Sequence, residues 1–289
     1  MEQIMPMFEK LKEYALLMRL DKPVGIYLLL WPTLWAIWIA SEGKPDPLIL
    51  FVFVTGVVLM RSAGCVINDF ADRKIDVHVK RTEDRPIAAG RVSSNEAIIL
   101  FVILCLIAFG LVLLMNSLTI KLSFIAVLLA ASYPFMKRFT HLPQLYLGFA
   151  FGWAIPMAFA AVQNSVPPVA WILLLANLIW AVVYDTMYAM VDREDDLKIG
   201  VKSTAILFGE YDLRIIAILQ FLMLLTLLIA GNMVGLGWPF HVSLLIAAAY
   251  MLYHRILISD RDTVKCFQAF KQNHWIGLVI LFGMIVGRV

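Results

Sequence analysis

Nine apolar runs, near positions 24–40, 48–67, 97–115, 118–134, 143–162, 168–190, 213–234, 237–257 and 272–288, take up most of the chain. Each is close to the ~20 residues that a helix needs to cross the hydrocarbon core of a bilayer. No water satisfies a free amide or carbonyl there, so runs of this length close their backbone hydrogen bonds internally, as helices. Of the 289 residues, 62% are apolar and 16% charged, against about 45–50% and about 25% in a soluble domain. The expectation is an all-α, polytopic membrane protein with about nine transmembrane helices and no length left for a soluble domain. Residues 1–22 are too acidic for a transit peptide and lack the apolar core of a cleaved signal, so the first run reads as an uncleaved span. Cys65, Cys105 and Cys266 have neither paired nor metal-type spacing and read as small packing residues.

Charge sets the expected orientation. With the N-terminus inside, all of the 24 Lys and Arg except Lys44, Arg61, Lys121 and Arg288 fall in cytoplasmic segments, as the positive-inside rule requires. The C-terminus is then outside, and the outer connections are short: Ser41–Pro47, Asn116–Ser117, Gln163–Pro167 and a turn around Gly235–Pro239. The long connections follow the second, sixth and eighth runs, so function is expected at the cytoplasmic face of a bacterial inner membrane. No nucleic-acid partner is expected.

Two acidic clusters end apolar runs on that side. The first reads Asn68-Asp69-Phe70-Ala71-Asp72-Arg73-Lys74-Ile75-Asp76, and the second extends from Asp185 through Tyr188 and Asp192 to Asp196. Asn68, Asp72 and Asp76 match Tyr188, Asp192 and Asp196 in spacing. The match suggests a duplication within one domain spanning 1–289, with pseudo-repeats near 20–140 and 141–257 and a last helix near 272–288. On a continuous helix Asn68, Asp72, Asp76 and Asp69 project at about 0°, 40°, 80° and 100°, one face, and Tyr188, Asp192, Asp196 and Asp185 behave alike. Acids at a membrane edge are costly and read first as functional. Oxygen ligands without His or Cys suit a hard cation, Mg²⁺ or Ca²⁺. Asn68, Asp69, Asp72, Asp192 and Asp196 are the candidate metal ligands.

Bases follow each cluster. Arg73, Lys80, Arg81 and Arg85 after the first, and Lys198 and Lys202 after the second, are candidate diphosphate ligands. The competing explanation is that cytoplasmic loops carry Lys and Arg in any case. Arg61 lies seven residues before Asn68, about 20° off the same face and ~10 Å deeper. It either meets a substrate carboxylate or diphosphate, or pairs with a cluster acid. Gly148-x-x-x-Gly152 reads as a helix-packing motif. Trp31, Trp35 and Trp38 read as an interfacial belt.

These clusters resemble those of the UbiA-type family of intramembrane prenyltransferases, whose Asn-Asp-x-x-Asp-x-x-x-Asp pattern fits Asn68–Asp76 and whose second motif fits Asp192-x-x-x-Asp196. The likeness covers nearly the whole chain. Segments Arg19–Trp38, Gly64–Gly90, Tyr133–Ala160 and Trp180–Gly209 look most like the branch that acts on 4-hydroxybenzoate in ubiquinone synthesis. The resemblance implies nine helices around a central cavity capped by cytoplasmic loops. It implies a polyprenyl diphosphate substrate and Mg²⁺ held by Asn68, Asp72, Asp192 and Asp196, with Lys137 and Arg138 near substrate.

Chemistry then assigns roles. Departure of diphosphate leaves an allylic cation that Tyr133 or Tyr188 can face with its ring, and the acceptor carbon ortho to the phenol attacks. Asp72, Asp76, Asp192 and Asp196 are the candidate catalytic acids, with Asp192 or Asp76 as the base. Two other readings stay open: a prenyltransferase for dihydroxynaphthoate or haem, and a cation-coupled transporter, although transporters place ions near the bilayer midplane.

Overall fold

The computed structural model describes residues 6–78 and 82–288, and among these there is no strand. An eleven-residue helix, α1 (Met7–Leu17), precedes the first apolar helix, α2 (Val24–Ala40). α3 (Pro47–Asp72) and α4 (Ser94–Val112) follow, then α5 (Ser117–Ser132), which continues as a tight 3-10 segment, Tyr133–Arg138. α6 (Pro143–Gly152) and α7 (Ala154–Gln163) form one span interrupted at Trp153. α8 (Pro168–Ile199), the short α9 (Thr204–Phe208), α10 (Asp212–Met233), α11 (Trp238–Leu257) and α12 (Thr263–Gly287) complete the described chain. Eight segments are long and apolar enough to cross a membrane, and α2 is a ninth, shorter apolar helix. The nine runs of the sequence are therefore the nine apolar helical segments of a multi-pass membrane protein.

Local signals set the helix starts. The Asp46 carboxylate accepts from Leu48 N ahead of α3, Ser93 and Glu96 form a reciprocal capping box on α4, and Asn116 caps α5. Each satisfies an amide that the first helical turn leaves free. Pro47, Pro143 and Pro168 sit in first turns, where a missing N–H costs nothing. The segments close in a ring: α2 packs on α3, α7 and α12, while α8 touches α6, α7, α10 and α12. α8 is the most enclosed span, and α4 and α5 are the least. The acidic end of α8 extends past this enclosed stretch and is only partly buried.

Close helix contacts depend on small residues. A Cβ on Gly152 would fall 2.5 Å from Leu174 Cδ1 and 2.6 Å from Asn177 Nδ2, and one on Gly148 would fall 3.1 Å from the backbone of Leu178. The bare faces let α6 seat against α8, and Asn177 Nδ2 donates to Gly148 O at 3.2 Å. The packing role expected of Gly148-x-x-x-Gly152 is the one observed.

Two expectations need correction. Trp35 is not part of an interfacial belt: it is fully buried, stacks on Trp180 at 5.6 Å, and donates from Nε1 to Gly277 O at 3.0 Å. Its helix is enclosed by α12 and α7, so the tryptophan stripe faces protein. The first acidic stripe is also not one continuous helix face. α3 ends at Asp72, Ile75 N bonds back to Asp72 O at 2.7 Å, and Asp76 opens a separate 3-10 turn, Asp76–His78. The second cluster stays on one helix, which ends at Gly200 in the left-handed region (φ 72°), a conformation that glycine adopts without strain.

Gly152→Leu tests the packing. Overfilling a close contact costs about 1–3 kcal/mol, so the variant in detergent should melt several degrees below the parent in a thermal aggregation assay. An unchanged melting temperature would contradict the close α6–α8 approach.

Candidate active site

The two acidic clusters come together at one end of the bundle, in a cavity of about 160 Å³. The last turn of α3 contributes Asn68 and Asp72, and the 3-10 turn after it contributes Asp76. α8 contributes Asp185, Tyr188, Asp192 and Asp196 from the opposite wall. Tyr133 and Lys137 enter from the 3-10 segment after α5, Gln144 from the first turn of α6, and Lys202 from the link into α9. Residues from both halves of the chain thus line one space.

Its charges are arranged as paired ions. Lys137 Nζ lies 2.5 Å from Asp72 Oδ2. Arg85 bridges Asp76 at 2.9 Å and Asp69 at 3.1 Å, and Arg19 takes Asp69 at 2.8 Å. Thr82 Oγ1 holds the Asp76 carbonyl at 3.1 Å. Asp69 and Asp72 are about 60° apart on their helix, and they separate between neighbouring spaces. Asp72 lines the acidic cavity, whereas Asp69 lines a larger one of about 630 Å³ together with Arg19, Lys22, Arg61 and Lys271. Arg85, Tyr188 and Asp185 border both.

A third cavity, about 300 Å³ and almost wholly apolar, lies among α3, α4, α5 and the α6–α7 span. Its lining includes Gly56, Phe53, Leu106, Phe109 and Phe124. Leu106 and Phe124 are also exposed on the outside of the bundle. Tyr133 borders all three cavities, and Arg61 borders the apolar and the large polar one. The Arg61 guanidinium lies 5.4 Å from the centre of the Phe151 ring and makes no ion pair with a cluster acid among the described residues. Among the described residues no cluster acid contacts the guanidinium directly, although its charge acts on Asp185 of the second cluster. Gly25 of α2 makes room for this guanidinium, since a Cβ there would fall 2.4 Å from Arg61 Nε.

Other expected site residues lie elsewhere. Arg73 folds back on its own helix, donating to Phe70 O at 2.6 Å. Arg138 donates to Ala71 O at 2.6 Å and so braces the end of α3. Lys198 is exposed and pairs with Asp195 at 3.1 Å, away from the cavity. Lys80 and Arg81 lie outside the described residues. Sequence reasoning missed Arg19, Gln144 and Gly25. Arg19 and Gln144 carry no local signal, because their partners, Asp69 and Thr204 N, are distant in sequence. Gly25 is visible only once α2 lies against α3.

The donors suit a hard cation shared with an anionic ligand. They are carboxylate and amide oxygens, and Asp72 Oδ1 is buried without a hydrogen-bond partner. Among the described residues no three His, Cys, Asp or Glu side chains converge into a closed metal cage. Carboxylate and amide oxygens suit Mg²⁺, which retains waters and commonly takes one or two carboxylates plus substrate phosphates.

Comparison with known proteins fits this geometry. Over 271 residues the chain is 62% identical to the 4-hydroxybenzoate octaprenyltransferase of Methylococcus capsulatus, covering 94% of this chain and 93% of the relative. It is 61% identical to the enzyme of the same name from Nitrosococcus oceani, over 96% of this chain and 98% of the relative. Among solved structures, a UbiA homologue from Aeropyrum pernix superposes with a TM-score of 0.79 at 26% identity, covering 92% of this chain and 98% of that one. A UbiA homologue from Archaeoglobus fulgidus, solved with GPP and Mg²⁺, shares the fold with a TM-score of 0.72 at 17% identity, covering 95% and 99%. The model of the UbiA prenyltransferase family matches residues 29–277. With that match across most of its length, the chain belongs to the UbiA prenyltransferase family.

Proposed function

We propose that this protein transfers a polyprenyl group from polyprenyl diphosphate to 4-hydroxybenzoate, at the carbon ortho to the hydroxyl, and releases diphosphate in ubiquinone biosynthesis. The observation that carries this reading is the meeting of three chemically different cavities at Tyr133: one acidic, one polar with arginines, one apolar. These match the three parts of the reaction: a metal-bound diphosphate, a carboxylated ring and an isoprenoid chain. Relatives over 60% identical bear the name 4-hydroxybenzoate octaprenyltransferase, which supports the choice of acceptor.

Asn68, Asp72, Asp192 and Asp196 would hold Mg²⁺, which when bound offsets the negative charge that grows on a departing diphosphate. Asp69, engaged by Arg19 and Arg85, orients those arginines toward the mouth of the larger cavity. Lys137, Arg85 and Lys202 line the acidic cavity and supply fixed positive charge to the phosphate oxygens. Arg61 receives the acceptor carboxylate, presenting its ring to Tyr133. The faces of Tyr133 and Tyr188 stabilise the allylic cation, and the dry apolar cavity keeps water from capturing it. Asp192 or Asp76 takes the proton that the attacked ring must lose. The chain acts as one catalytic unit, in which pseudo-repeats 20–140 and 141–257 each bring one acidic cluster and the last helix closes the ring. The acidic end faces the cytoplasm, as its excess of Lys and Arg supports.

The direct test is prenyl transfer by purified protein in lipid vesicles, with 4-hydroxybenzoate, a long-chain polyprenyl diphosphate, and either Mg²⁺ or chelator. We expect Mg²⁺-dependent 3-polyprenyl-4-hydroxybenzoate. Asp72→Ala and Asp192→Ala should each lose on the order of 10²–10³ in kcat, the loss typical of a missing electrostatic contact to developing charge. Transfer only to dihydroxynaphthoate or haem would reject the acceptor, and no transfer by folded protein would reject the reaction.

Arg61→Ala should raise the KM for 4-hydroxybenzoate about 10- to 100-fold, the equivalent of one charged hydrogen bond of about 1.5–3 kcal/mol. Gly25→Ala should shift the same KM in the same direction, because its methyl occupies the guanidinium's place. Unchanged acceptor kinetics in both variants would remove Arg61 from the acceptor site.

A Cβ at Gly56 meets nothing within 4 Å, so this position can be filled. Gly56→Leu should leave transfer from a short diphosphate such as geranyl diphosphate near the parent rate and slow transfer from a long-chain donor by about tenfold, the effect of an extra clash of about 1–3 kcal/mol. Equal rates on both donors would exclude the apolar cavity as the path of the chain.

A further inference from the structure

α1 is too short to cross a bilayer, since eleven residues rise ~16 Å against a hydrocarbon core of about 30 Å. Its two faces differ. Lys10, Glu13, Tyr14 and Leu17 are turned toward the bundle. Lys10 pairs with Glu96 at 2.7 Å, Tyr14 donates to Glu96 at 3.0 Å, Glu13 pairs with Arg91 at 2.9 Å, and Leu17 is fully buried beside Ala63 and Val66. On the other side Met7, Phe8 and Leu11 are 78%, 82% and 57% exposed, within a sector of about 100°.

The level of this helix against the bilayer is fixed by Glu96, which sits in the first turn of α4. The exposed apolar face of the α4 span starts directly after it, at Ile98 and Ile99, and continues through Val102, Ile103, Leu106 and Ile107. α1 is therefore tied about one helical turn, ~5.4 Å, from where α4 begins to face acyl chains. Apolar faces of interfacial helices lie about 5–10 Å into the headgroup and acyl boundary.

We infer that α1 is a monotopic surface helix that seats Met7, Phe8 and Leu11 in the lipid leaflet at the acidic end of the bundle. Its exposed charges, Glu9 and Lys12, cancel, so apolar burial and not attraction to anionic lipid holds it there. The seat has a consequence inside the protein. α1 leads directly into Arg19, a non-glycine residue with φ 57°, whose guanidinium binds Leu16 O at 3.0 Å and both oxygens of Asp69. Leu16, Arg19, Asp21 and Lys22 form one wall of the large polar cavity. Lipid thus holds α1, and α1 holds that wall.

The test is a spin-label scan in vesicles, read by accessibility to oxygen and to a water-soluble nickel chelate. Single cysteines at positions 7, 8, 9, 11 and 12 are placed in protein whose Cys65, Cys105 and Cys266 are replaced by alanine, with a label at Ile99 as the lipid reference. Labels at 7, 8 and 11 should favour oxygen, as at 99, while labels at 9 and 12 favour the chelate. The pattern should be the same in phosphatidylcholine with or without phosphatidylglycerol. Phe8→Glu with Leu11→Glu should move the label at 7 into water, and Phe8→Leu with Leu11→Met should not. Chelate access at 7, 8 and 11 would overturn the inference. So would labels there shielded from both probes, which would mean a protein contact, or insertion only with anionic lipid. None of these readings depends on catalysis, so failure here leaves the proposed reaction untouched.

Discussion

Carboxylates can be buried at the end of an apolar bundle only if cations are brought to them, and this pairing organises the rest of the site. Asp69 and Asp72 are almost fully buried. An unpaired buried charge would cost several kcal/mol. Arg19, Arg85 and Lys137 answer that demand from three different elements, and each pair pins a separate segment to the end of α3. The loop after α3, the link from α1 to α2 and the segment after α5 are all positioned by these pairs. The same cations leave the site with fixed positive charge beside its acids, the combination that a metal-bound diphosphate requires.

The second organising feature is the separation of environments. A reaction that joins an isoprenoid cation to a hydroxylated ring needs polar charge stabilisation and the exclusion of water within a few ångströms of each other. The helical frame meets both needs by depth. Charged residues sit at helix ends, where α3 and α8 extend past their apolar runs, and the apolar cavity lies deeper among α3, α4 and α5. Tyr133 stands where these spaces meet, on a 3-10 segment that breaks from α5. A regular helix through Tyr133–Arg138 would turn Lys137 to another bearing.

Much of this was legible in the chain. The nine apolar runs gave the helices, because lipid leaves a backbone of that length no other way to satisfy itself. Asn68, Asp72, Asp76, Asp192 and Asp196 were marked by their cost and spacing, and they do converge. Other details were not legible. Asp69 and Asp72 look equivalent in sequence, yet Asp69 turns to Arg19 and the larger cavity. Asp76 leaves the helix that the spacing suggested, because the chain turns after Asp72 to bring it to Arg85. Trp35 looked like a membrane-surface residue and is a buried donor to Gly277. For Asp69 and Trp35 the helical period fixed a direction and the neighbour lying there decided the outcome; for Asp76 the turn after Asp72 decided it.

The sequence by itself determined the class of fold, the positions of the spans and which acids stand out at their ends. These follow from local quantities: hydropathy over ~20 residues, and spacing along one helix. Only the tertiary structure decided which acid meets which base, where three cavities join, and why Gly25 lacks a side chain beside Arg61. Those depend on helices far apart in the chain coming to lie side by side, and contact across that distance is set by the packing of whole faces, which no short stretch of sequence encodes.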